Sequence, residues 1–143
     1  MIYIRNIKDV KQGQFDAVFA IVRSYKGKQT WIKQMAELSP SWNLFTTYRD
    51  LVRRNEWNAE TFQKIYVPQF LKEMHEPSAR DYLNMVYALG KRSSVALVCY
   101  CSDETLCHRS IVAGLLQGVG AEVELPSGAD YSRYYNYYKM KGK

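Results

Sequence analysis

The run Val95-Ala96-Leu97-Val98-Cys99 limits the folds open to this chain more than any other feature. An uninterrupted apolar run within Ser94–Cys101 reads as a strand covered on both faces, as the strands of a parallel sheet are. After it, Ser102–Leu106 reads as a loop. Cys107 to about Val119 then reads as a helix with Ile111, Val112, Leu115 and Leu116 inward, closed by Gly118 and Gly120. Ala121–Leu125 follows as a last strand. Strand, helix and strand at this spacing make a βαβ unit.

The rest of the chain fits the same class. Ile2-Tyr3-Ile4 reads as a short first strand, and Phe15–Val22, rich in β-branched and aromatic residues, as a second that ends at Arg23. Trp31–Glu37 is compatible with a short helix. Ser41 is placed to cap a helix running to about Asn55, and Asn58 to cap the next, with Pro68 predicting a kink or break. Ser78 with Asp81 resembles a capping box opening a third helix that runs to Leu89 and stops at Gly90. The expectation is an α/β fold: a small, mostly parallel sheet with helices on both faces. A helical insertion, about residues 31–90, separates the second and third strands.

At 143 residues the chain is expected to be one domain, residues 1–143, large enough to bury a core. Its 47% hydrophobic and 24% charged residues are those of a soluble globular protein. No apolar run approaches the roughly 20 residues of a membrane span, so no membrane association is expected. Met1–Arg5 lacks the apolar region of a signal peptide, and three cysteines are a poor disulfide framework. Both point to the cytoplasm. A net charge of +6 favours anionic partners, either a small molecule such as a nucleotide or a nucleic acid.

Ligands of open α/β sheets bind beyond the carboxyl ends of strands, where helix N-termini present free N–H groups. Cys101 to Arg109 falls at such a place. Cys107, His108 and Cys101 are the candidates for chemistry there; Arg109, Arg23 and Ser102 are the candidates for binding a ligand. Three readings stay open. Cys107 could be a low-pKa nucleophile with His108 as acid or base, although adjacent helical residues point about 100° apart and face each other poorly. Cys101, Cys107 and His108 could bind zinc, although Cys-x-Cys-x5-Cys-His is not a familiar zinc spacing. Arg109 and the backbone N–H groups could hold an anion. On balance the turn reads first as an anion-binding site, and no metal or cofactor is expected. A phosphatase loop is excluded, because the position six residues after Cys101 is Cys107 rather than Arg, and there is neither a GxGxxG nor a P-loop. His75 reads as structural.

The strand ending in Cys99-Tyr100-Cys101, followed by Cys107-His108-Arg109-Ser110 opening an amphipathic helix, resembles the hallmark of the domain of unknown function 488 family, which includes YeaO-like proteins. Leu38-Ser39-Pro40-Ser41 is similar to its Leu-Ala-Pro-Ser motif, and Phe62–Phe70, with Tyr66, to its Phe-x-x-x-Tyr segment. The resemblance spans about Ala17 to Gln117 and implies a fold and a site rather than a reaction. Cys101 stands where many relatives carry Glu. If that Glu is an acid or base, this chain lacks the step or uses a thiol for it.

The tail, residues 131–143, holds five of the twelve tyrosines and interleaves them with Arg133, Lys139, Lys141 and Lys143. Rings beside cations are how single strands of nucleic acid are held, so a non-catalytic nucleic-acid-associated module is the rival function. The favoured expectation is a terminal helix or extended tail whose tyrosines pack on the body with their hydroxyls in water.

Overall fold

A computed structural model describes residues 1–141 of the chain. Strands β1 (Ile2–Asn6), β2 (Ala17–Ala20), β3 (Ile32–Gln34), β4 (Val95–Cys99) and β5 (Val123–Glu124) form one sheet, ordered β3-β2-β4-β1-β5, in which every pairing is parallel. All five residues of β4 are buried, which is why its sequence does not alternate. On one side β1 pairs with it from Ile2↔Val95 to Asn6↔Cys99; on the other β2 runs from Ala17↔Val95 to Ala20↔Val98. The carboxyl ends of the three central strands therefore finish together.

The helices are α1 (Trp42–Arg53), α2 (Ala59–Thr61), α3 (Val67–Glu73), α4 (Pro77–Gly90), α5 (His108–Gly118) and α6 (Arg133–Lys141). Ser41 caps α1, its Oγ accepting from the Leu44 amide at 3.1 Å, and Asn58 with Thr61 forms a reciprocal cap on α2. Both α4 and α5 pack on β4. No helix among the described residues is long and apolar enough to cross a membrane.

Three expectations need correction. Trp31–Glu37 is not helical: it contains β3, paired with β2, followed by a 3-10 turn at Ala36–Leu38. Its apolar residues Ile32, Met35 and Leu38 are spaced by three, which mimics a helical stripe, yet all three reach the core from an edge strand and a turn. The Gln34 side chain secures the strand, donating to the Arg23 carbonyl and accepting from the Tyr25 amide, both at 3.0 Å. The helical stretch consequently lies at residues 42–90, between the third and fourth strands. At Pro68 the helix does not break; a π turn at Phe62–Tyr66 precedes it, with the Val67 amide donating to the Phe62 carbonyl, so helix runs on into α3. Finally, α4 starts at Pro77, whose fixed φ suits a first turn, and Glu76 at its N-cap makes no side-chain cap bond; Ser78 and Asp81 form no capping box.

The tail folds as α6 against α5. Tyr134 and Tyr131 are buried, and the hydroxyls of Tyr131, Tyr134 and Tyr138 bond to protein groups, where the expectation had the tail's hydroxyls in water. Tyr134 Oη accepts from Gln63, Tyr131 Oη donates to Glu104, and Tyr138 Oη donates to the Met74 carbonyl. The closeness of the two helices depends on two glycines of α5: a Cβ on Gly114 would lie 2.1 Å from the Tyr131 carbonyl oxygen, and one on Gly118 would lie 2.2 Å from Tyr135 Cβ. Residues 142 and 143 of the expected tail, Lys143 included, lie outside the described residues. His75 has the structural place expected of it, its ring stacked on Tyr138 at 3.9 Å.

Candidate functional site

Cys99 is the last residue of β4, Cys101 follows two residues later, and Cys107 and His108 open α5. The three sulfurs and a nitrogen of His108 all lie within 4.8 Å of one another. All three cysteines are free thiols, and the Sγ atoms of Cys99 and Cys107 are 3.0 Å apart. The cluster crosses from strand end to helix start at the carboxyl edge of the sheet, the place where α/β proteins put their ligands.

Cys107 and His108 face each other after all, with Sγ and Nδ1 separated by 3.7 Å. Cys107 is the N-cap, not a helical residue, so the 100° divergence of helical neighbours does not apply: its φ of −126° and ψ of 145° are extended. An extended residue followed by a helical one swings the two side chains to the same side. His108 Nε2 is committed to the carbonyl oxygen of Ile21, just beyond β2, at 2.6 Å. A carbonyl only accepts, so Nε2–H donates to it, and Nδ1 is the ring nitrogen turned toward the sulfurs. The Phe70 ring, 5.6 Å away, backs the imidazole.

Arg109 is buried, with 5% of its surface exposed. Its Nη1 donates to the Cys101 carbonyl at 2.7 Å and to Cys99 Sγ at 3.4 Å. The same carbonyl receives Asn6 Nδ2 from β1 at 2.9 Å, so the loop carrying Cys101 is held from two strands. Arg109 thus balances the sulfurs from within instead of reaching outward. Arg23 is spent in part on the Pro40 carbonyl, to which its Nε donates at 3.1 Å, tying the strand end to the Ser39-Pro40-Ser41 segment. Ser102 is exposed on the loop past β4.

Hydrogen bonds from Cys101 and Cys107 pull the Cys99 thiol far down against its burial, with the Arg109 guanidinium adding attraction. Burial pushes the Cys107 thiol well up. For Cys101 the hydrogen bond with Cys107 is outweighed by the one with Cys99, by burial and by the Cys99 charge, and its thiol is pushed up as well. Burial, reinforced by these sulfurs, also raises the hydroxyls of Tyr66 and Tyr48. Both tyrosines belong to an aromatic wall in which Trp57 lies 4.7 Å from Tyr48 and 5.5 Å from Tyr66, and Tyr66 6.1 Å from Phe70.

The structure adds Cys99 to the candidate group, which the strand pattern alone assigns to the core. It does lie in the core, and its sulfur also forms part of the cluster; the two-residue spacing to Cys101 at a strand end was the available signal. Nothing in the sequence announces the Ile21 carbonyl or Asn6, since their roles depend on parallel register.

A family model described as the active DUF488-N3 subclade matches residues 6–120. No curated protein and no solved structure matches the chain. The matched region runs from the end of β1 through α5 and contains every member of the cluster. The chain belongs to the DUF488 family, in the subclade described as active DUF488-N3.

Proposed function

We propose that this protein binds and acts on a small anionic ligand at the turn between β4 and α5, with Cys101 as the sulfur the ligand meets. The observation that carries this reading is the gradient of burial across one cluster. Cys99 and Cys107 are each 1% exposed, His108 is 5% exposed, and Cys101 alone reaches the surface. A sulfur at the mouth, two sulfurs, an imidazole and a guanidinium behind it, and a net charge of +6 suit sulfur chemistry on a negatively charged molecule. Arg109 positions Cys101 through its carbonyl, and attraction of the ligand falls to exposed cations of the neighbouring loop such as Lys26, whose amide is bonded to the Tyr100 hydroxyl at 3.3 Å.

Two alkylating probes of opposite character test this. Iodoacetate is an anion and iodoacetamide is neutral; both transfer their carbon to a thiolate with loss of iodide. The ratio of their rates at Cys101, resolved by peptide mass spectrometry, is expected to exceed the ratio for free cysteine by about tenfold at low salt and to fall toward it as salt is added. Cys99 and Cys107 should label far more slowly. A ratio at Cys101 equal to that of free cysteine contradicts the reading.

The rival role is a non-catalytic nucleic-acid-associated module using the basic surface and the Tyr/Lys-rich tail, and the packing of the tail leaves few of its rings open for stacking. Tyr131 and Tyr134 are buried and Tyr138 is bonded to Met74, leaving Tyr137, 50% exposed, as the large open ring of α6.

A further inference from the structure

We propose that Cys99, Cys101, Cys107 and His108 form a binding site for one zinc-class metal ion. The inference concerns the same side chains as the thiol reading and names what they hold. Four protein donors of the Cys₃His type are a recognised tetrahedral set for zinc. With zinc–sulfur bonds of about 2.3 Å and zinc–nitrogen bonds of about 2.0 Å, donors at the corners of a tetrahedron stand about 3.5–3.8 Å apart. The Cys107 sulfur and His108 Nδ1 already stand 3.7 Å apart, the Cys99 and Cys107 sulfurs 3.0 Å, and no pair in the group exceeds 4.8 Å. Shifts of under about 1 Å complete the geometry.

The surroundings are prepared for an ion in two further ways. A ligating histidine nearly always donates its second ring N–H to a carbonyl or carboxylate, which orients the ring and makes the free nitrogen more basic. His108 does this with Ile21, at 2.6 Å, leaving Nδ1 aimed at the sulfurs. Charge is balanced as well. Three thiolates around a dication leave one negative charge, and the buried Arg109 guanidinium against Cys99 Sγ cancels it. On binding, the thiol protons leave to solvent and nothing is oxidised or reduced. The unfamiliar spacing follows from topology: one ligand ends a strand, one lies in a loop, one is an extended N-cap and one begins a helix. Adjacent residues serve together because Cys107 is not helical.

The full chain, purified under reducing conditions, is analysed for metal, stripped with a chelator and reloaded with zinc or cobalt(II). The expected result is one ion per chain, with cobalt giving the intense visible absorption of a tetrahedral site and sulfur-to-cobalt charge transfer. Cys107→Ser puts a hydroxyl in the core, so Cys101→Ser, at the partly exposed position, is the informative variant. It should keep the far-ultraviolet circular dichroism of the parent and lose more than the ~10–100-fold in affinity that an outer partner costs. Zinc should also slow iodoacetate at Cys101. Substoichiometric metal after reloading, an octahedral cobalt spectrum, or a Cys99–Cys107 disulfide persisting in its place overturns the metal site. If iodoacetate still favours Cys101 in that case, the thiol reading survives alone; if metal binds while Cys101 shows no anion preference, the anionic ligand falls and the metal site stands.

Discussion

Cys107 shows how one backbone conformation decides what a pair of residues can do. In a helix it and His108 would diverge; as an extended N-cap it brings its sulfur 3.7 Å from the imidazole. Arg109, one residue further, turns back under the cluster and donates to the Cys101 carbonyl at 2.7 Å. Arg109→Lys keeps the charge but cannot reproduce the planar fork. That substitution is expected to cost about 1–3 kcal/mol in urea unfolding, with an unchanged dependence on denaturant. An unaltered midpoint would mean that the buried guanidinium does not hold the loop. The residue types at this site were readable in the sequence, and so was their place at a strand-to-helix turn. Their mutual geometry was not, because it depends on the Cys107 dihedrals and on the Ile21 carbonyl, neither of which leaves a side-chain signature.

Among the elements, β4 was legible because complete burial erases alternation, and α1 because Ser41 caps an amphipathic stretch. β3 was not: with Ile32 as its one buried residue, its short pattern cannot outvote the spacing of Met35 and Leu38, and only pairing with β2 makes it a strand. The packing of α6 on α5 was equally hidden, since Gly114 reads as an ordinary small residue of a helix and Gly118 as its end. Gly114→Ala tests that contact. With the Tyr131 backbone oxygen 2.1 Å from the new methyl group, the substitution should destabilise the protein by about 1–3 kcal/mol, although alanine favours a helix. A neutral or stabilising result on thermal unfolding would show that α6 is loosely held.

Over the whole molecule, strand order and site are linked. β4 lies in the sheet between β1 and β2, so the last central strand in the sequence places Cys99 between the ends of the two that precede it. β1 contributes Asn6, and the residue after β2 contributes the Ile21 carbonyl; each fixes one part of the cluster, the loop carrying Cys101 and the imidazole of His108. The helical stretch between β3 and β4 supplies the wall of Tyr48, Tyr66 and Phe70. The metal site stands on one geometric feature: His108 donates its Nε2–H to the Ile21 carbonyl and turns Nδ1 to the sulfurs. Nitrogen–proton NMR correlating the ring nitrogens of His108 with its carbon-bound protons reads this directly. The account predicts a protonated Nε2 and a bare, pyridine-like Nδ1 in the metal-free protein, the latter shifting on zinc addition; a protonated Nδ1 would contradict it.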